Sequence, residues 1–287
     1  MKKINLQPAS FLGLILIIIS FFIPSLAHLT KLDTDLILRL INSYLIAYLA
    51  YMISFMDTRK VLALFLPLIT YTIINVFLIS GLNIKFDGSL VDMIYLNIRN
   101  LYDLIALVGI FFLIEFITNR LLGNTFTSIL ALVCLAIFFY YDYSKILIGF
   151  TSFKDIFLYL AIYIMALRVR AANRISPILY ILAIGVFLLE IYLDKTLGFS
   201  YGYLISFLAI IYLVLKKITD PLGLSLEKFM IFAYIYIFPS LCLLLNIYLD
   251  VDNLLILVLA SLITFFLGQI LYWLRISLIN YIFLGIN

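Results

Sequence analysis

Residues 100–142, NLYDLIALVGIFFLIEFITNRLLGNTFTSILALVCLAIFFYYD, decide the fold. Two apolar runs, 100–120 and 125–141, meet at Arg120, and their far ends carry Asp103 and Asp142. A spanning helix needs about 20 apolar residues. The first run meets that length and the second falls slightly short of it. Lys and Arg collect on the cytoplasmic side of a membrane. The stretch therefore reads as a membrane hairpin with its arginine turn inside and its aspartates outside.

The same alternation runs along the chain. Apolar segments lie near 9–29, 34–56, 61–81, 100–120, 125–141, 155–169, 177–197, 201–217, 228–249 and 253–274. With the N-terminus inside, inner turns hold Lys2, Lys3, Arg59, Lys60, Arg120, Arg168, Arg170, Arg174, Lys216, Lys217, Lys228 and Arg275, which is 12 of the 19 basic residues. Outer turns hold Asp33, Asp35, Asp87, Asp92, Asp103, Asp142, Asp155, Glu190, Asp194, Asp250 and Asp252, 11 of the 15 acids. An odd number of spans would leave Arg275 outside. The expected architecture is all-α: a polytopic integral membrane helix bundle of about ten transmembrane helices, with N- and C-termini cytoplasmic. Short loops make neighbouring spans antiparallel. Residues 1–287 then form a single transmembrane domain with no soluble domain, lodged in a bacterial cytoplasmic membrane with the lipid bilayer as partner.

Composition points the same way. The chain is 66% hydrophobic and 12% charged, against about 25% charged in soluble domains. Basic residues stand singly or in pairs at segment ends, a topology signal that excludes a nucleic-acid surface. Cys134 and Cys242 both fall in apolar segments, which argues against a disulfide or a zinc site. His28 is the one histidine, so multi-histidine haem and metal centres are excluded. No metal and no cofactor is expected. Met1-Lys2-Lys3 and the apolar run to Ala27 have the outline of a secretory signal, with small residues at Ser25-Leu26-Ala27. We read this run as the first span.

The longest stretch between spans, near 82–99, is placed outside. Val91, Ile94, Tyr95 and Ile98 recur at helical spacing with Asp92 and Arg99 off that face. This suggests a short amphipathic segment on the outer surface or over a cavity mouth; a surface loop with one helical turn fits equally. A short internal echo, 188–194 against 244–250, matches at six of seven positions. Repeated hairpins would suit a transporter, although chance matches are expected in a chain this rich in Leu, Ile and Tyr.

Charges within spans are the first place to seek function, because their burial is costly unless they are paired or hydrated. Glu115 lies five residues before Arg120, about 7 Å along a helix. It reads either as a proton- or cation-coupling carboxylate or as a structural contact to Asn119 or a neighbouring helix. Arg39 stands one turn after Asp35, either a structural i,i+4 pair or an anion-binding arginine near His28 and Asp33. Arg99 and Asp103 form a similar pair. Glu190 and Gln269 read as interhelical hydrogen-bonding groups. His28, Asp33, Asp35 and Arg39 are the candidate catalytic set at the outer face. Glu115, Arg39, Arg99, Asp103, Glu190 and Gln269 are the candidate substrate or coupling-ion residues. The acid pairs Asp33/Asp35 and Asp250/Asp252 also suit helix starts. Pro24 and Pro239 fall inside spans and are expected to kink or unwind them. Tyr234 and Tyr236 sit deep enough to line a cavity.

In topology alone the chain resembles the membrane acyltransferase families and the drug/metabolite carriers. The first resemblance implies an arginine and a histidine in the first span; His28 is present, and Ile17 stands where the arginine would be. The second implies glycine- and alanine-rich helices, and there are 12 glycines. Three functional readings follow. The leading one is a multi-pass carrier or flippase-like protein for transport of a small-molecule or lipid-linked substrate. The second is a membrane transferase acting on a lipid-linked or acyl substrate at the outer face. The third is an anchoring or regulatory subunit held by a membrane protein partner.

Overall fold

The computed structural model describes residues 8–27, 34–81, 90–140, 147–148, 151–169, 202–215, 225–249 and 253–274, with Gly185, Leu188 and Tyr192 between them. The described chain is a helix bundle: α1 (Pro8–Ala27), α2 (Thr34–Ile53), α3 (Thr58–Ala63), α4 (Leu66–Gly81), α5 (Leu90–Tyr140), α6 (Phe153–Val169), α7 (Gly202–Leu215), α8 (Leu226–Tyr248) and α9 (Asn253–Leu274). A two-residue antiparallel pair, β1 (Leu147–Ile148) and β2 (Thr151–Ser152), precedes α6, with Leu147 opposite Ser152.

Among the described residues four helical stretches are long and apolar enough to cross a membrane: Thr58–Leu78, Asp103–Phe138, Leu226–Asn246 and Leu254–Leu274. Ala9–Ile23 and Ile37–Ile53 are shorter apolar helices. The expected spans near 9–29, 34–56, 155–169, 201–217, 228–249 and 253–274 each coincide with a helix to within a few residues, and the one near 61–81 is divided between α3 and α4. The expected span near 177–197 lies outside the described residues apart from Gly185, Leu188 and Tyr192, all helical.

The decisive stretch is one helix by hydrogen-bond pattern and two by path. Asp103–Phe138 is 36 residues, about 54 Å as one straight rod, against roughly 30 Å of hydrocarbon. It breaks at Gly123, whose φ of 80° and ψ of 174° lie in a region open essentially to glycine alone. Contacts with α6 show the direction on each side of the break. Before it, the Phe111 and Tyr163 rings lie 5.9 Å apart and Glu115 lies within electrostatic reach of Arg168. After it, Asn124 bonds Arg168, while Ser128, Ala131 and Leu132 share a cavity wall with Ile162, Met165 and Ala166. The first half therefore runs along α6 and the second half returns against it. The residues from Leu90 onward, expected as a separate amphipathic segment, are the leading turns of α5.

Neither in-span proline unwinds its helix. α1 continues through Pro24 and α8 through Pro239. The break falls instead between α3 and α4, at Leu64–Phe65 just before Pro67. Pro67 has no N–H to give the preceding turn. Tyr236 Oη donates to the Leu64 carbonyl across the bundle at 3.1 Å, so the gap is closed by a side chain from α8.

Packing sorts the helices into an interior and a rim. α8 packs against α1, α4, α5 and α9, while α6 packs against α2 and α5. The largest fully buried side chains include Tyr44, Tyr48, Tyr163, Tyr236, Phe21 and Phe111. Three of these tyrosine hydroxyls are tied within the bundle: Tyr44 donates to the Ala9 carbonyl at 2.7 Å, Tyr48 bonds Ser10 Oγ at 2.9 Å and Tyr236 bonds the Leu64 carbonyl. Such polar ties hold helices together where lipid removes the hydrophobic drive to associate. The rim is aliphatic. On α4, Ile69, Ile73, Val76 and Phe77 are exposed along one stripe. Tyr71 and Asn75 face inward, and Asn75 Oδ1 accepts from Ser240 Oγ at 2.8 Å. The stripe is a lipid-facing surface, consistent with an integral membrane protein.

Candidate functional site

Two arginines organise the polar interior. Arg39 enters from α2, one turn inside its start, and meets Asp155 at the start of α6. Arg39 Nε lies 2.8 Å from Asp155 Oδ1 and Nη2 lies 3.3 Å from Oδ2. The side chains are 17% and 13% exposed. This is an ion pair carried by one hydrogen bond, Nη2 to Oδ2, with Nε close to Oδ1. One turn along, Asn42 Nδ2 donates to Tyr159 Oη at 3.4 Å. The expected i,i+4 partner, Asp35, is helical in backbone, with its side chain outside the described residues. The partner found for Arg39 is Asp155, 116 residues away in sequence.

Arg168 is held differently. It enters from the last turn of α6 and meets the Gly123 break, where Nη1 donates to Asn124 Oδ1 and Nη2 to the Asn124 carbonyl at 3.4 Å. Both acceptors are neutral. Its Nε is buried and makes no hydrogen bond among the described residues. Glu115, half-buried on the incoming half of α5, is within electrostatic reach of Arg168 and of Tyr163. The Tyr163 hydroxyl is likewise buried without a hydrogen-bond partner among the described residues. The break at Gly123 brings these groups together, because it turns Asn124 back toward the last turn of α6.

Beside this cluster lies a cavity of about 370 Å³ between α2, α5, α6 and α7. Its wall is apolar, with Ala47, Ala131, Leu132, Ile162, Met165 and Ile211 among the lining residues, and Arg168, Ser128 and Tyr212 supply the polar groups. The volume falls within the range of about 300–1,000 Å³ usual for small-molecule sites. An apolar chamber with one guanidinium suits an amphiphile: the walls take a hydrocarbon chain and the cation an anionic head.

The other residues singled out by sequence scatter. His28, Asp33 and Glu190 lie outside the described residues, and the side chains of Asp35 and Arg99 do too, although their backbones are helical. Asp103 is half-buried at the head of the membrane stretch of α5. Gln269 is half-buried on α9 and makes no hydrogen bond among the described residues. Glu115 makes no hydrogen bond to Asn119. Of the candidates, the structure joins Arg39 to Asp155 and sets Glu115 beside Arg168. It adds Arg168, Asn124 and Tyr163, which sequence reasoning left as topology markers or passed over. Among the described residues no three His, Cys, Asp or Glu side chains gather as a metal site would require. Comparison with protein-family models, with characterised proteins and with solved structures finds no match to this chain.

Proposed function

We propose that the chain is a carrier or flippase-like protein with about ten spans, both termini cytoplasmic, moving a small or lipid-linked substrate that carries an anionic head. The observation that carries this reading is the cavity of about 370 Å³ with Arg168 as its one cation among the lining residues. A guanidinium bonded only to neutral acceptors keeps its charge for a ligand. In an apolar chamber that charge is worth more than at a wet surface. The break at Gly123 brings Asn124 to Arg168, and α7, which supplies Ile211, Tyr212 and Leu215 to one wall, is a single apolar segment. Glu115 tunes the same cation from the other side. The reading as an outer-face transferase includes Arg39, whose side chain pairs with Asp155.

Translocation of a fluorescent, short-chain anionic lipid across proteoliposomes tests the proposal. The wild-type protein is expected to accelerate movement, and Arg168→Gln to reduce the rate about 10–100-fold, the equivalent of one charge-assisted contact of about 1.5–3 kcal/mol. Equal rates for empty and protein-containing vesicles would remove the carrier reading. Equal rates for wild type and Arg168→Gln would remove the arginine from it.

A further inference from the structure

The cavity beside Arg168 has a closed side and an open one. Ala47 on α2, Ala131 on α5, Ile162 on α6 and Leu215 on α7 line it and are 3% exposed or less. Leu132 and Met165 line it too, yet they are 66% and 44% exposed. The cavity therefore meets the molecular surface where the second half of α5 lies against α6. The surface there is apolar. Val133, next to Leu132, and Ile129, one turn before it, are exposed as well. In a membrane protein such a surface lies against hydrocarbon. The opening is thus a side window onto lipid. Arg168 stands six residues along α6 from Ile162, about 9 Å by helix rise, so the cation and the closed apolar wall sit at different depths.

Size, polarity and access together select the occupant. A methylene fills about the room of a water molecule, ~30 Å³, so about 370 Å³ takes one hydrocarbon chain of roughly a dozen groups and not two long ones. A small soluble anion would leave water for walls that offer it little besides Arg168, and losing hydration without replacement is costly. A chain already in lipid gives up no water to enter. We propose that the cavity takes a single-chain anionic amphiphile directly from the bilayer, its chain passing between Leu132 and Met165 to lie against Ala47 and Ala131, and its carboxylate or phosphate head held by Arg168. This names the substrate class of the site proposed above and rests on that reading of Arg168. Leu132 and Met165 form the portal. Ala131, by its small side chain, leaves the chain its space.

The test is photolabelling of the full-length protein in proteoliposomes with a fatty acid bearing a diazirine near its chain end. On irradiation the diazirine loses N2 and the carbene inserts into a neighbouring C–H bond. Mass spectrometry is expected to find adducts on the enclosed Ala47 and Ala131, besides those that lipid leaves on an exposed residue such as Phe77 of α4. Arg168→Gln should lower the Ala47 label about tenfold or more, and Ala131→Phe should abolish it, with the Phe77 label unchanged in both as the control for folding. Label confined to exposed residues in wild type overturns the proposal. So does displacement of the Ala47 label by acetate, which has the head and no chain, or equal labelling of Ala47 by a two-chain phosphatidic acid carrying the same diazirine. Lipid movement in the same vesicles separates the two readings. Label on Ala47 without accelerated movement supports the single-chain site and removes the carrier. Accelerated movement with label only on exposed residues removes the single-chain site and leaves the carrier.

Discussion

Arg39 and Arg168 are the same side chain in opposite circumstances. Arg39 sits near the start of α2 and is matched by a carboxylate from α6. Arg168 sits at the far end of α6 and is matched by an amide and a backbone carbonyl. One pair is electrically closed and pins two helices. The other leaves a cation at the edge of an apolar cavity. A buried ion pair is chiefly a structural commitment, whereas a cation with neutral partners is available to a ligand. The difference teaches that charge within a span signals function only once its partner is known.

The contrast can be broken at either arginine. The largest effect is expected from Asp155→Ala, which removes the carboxylate that Arg39 meets across the bundle. Loss should fall between the ~1 kcal/mol of an exposed pair and the ~3–5 kcal/mol of a fully buried one, read as a lower thermal midpoint in detergent. The double variant with Arg39→Met should recover much of it. Gly123→Ala forces a side-chain-bearing residue into a glycine backbone conformation, at about 1–3 kcal/mol. No atom lies within 4 Å of a Cβ placed there, so the cost comes from backbone rather than crowding. That variant should also move Asn124 off Arg168 and blunt any ligand effect at the cavity. Asn124→Asp makes Arg168 resemble Arg39. Stability should hold, while affinity for an anionic amphiphile, measured by competition in proteoliposomes, falls about tenfold. The smallest effect is expected from Arg39→Lys, which keeps the charge and loses the planar guanidinium, at less than about 1 kcal/mol by thermal melting.

Helix positions were legible in the sequence because long apolar runs stand out between polar turns. The bounds of α2, α8 and α9 follow from Thr34, Lys228 and Asn253 standing at the edges of apolar runs. The tertiary partners were not legible. Asp155 reads as an outward marker, and nothing in its neighbours points to Arg39 on a helix more than a hundred residues earlier. Glu227, buried in the first turn of α8, sits in LGLSLEK, a polar turn by composition, and its burial depends on how α8 packs into the bundle. The prolines drew attention to Pro24 and Pro239, both accommodated within helices. The consequential backbone position was Gly123, a single glycine between Arg120 and Asn124 whose conformation no periodicity reveals.

Native mass spectrometry of the protein released from mixed lipid gives the most direct test of the central claim, that Arg168 and not Arg39 holds a ligand. An anionic single-chain amphiphile should stay bound to wild type and to Arg39→Gln, and should be lost from Arg168→Gln. Equal retention by the two arginine variants, or loss from Arg39→Gln alone, would contradict the account.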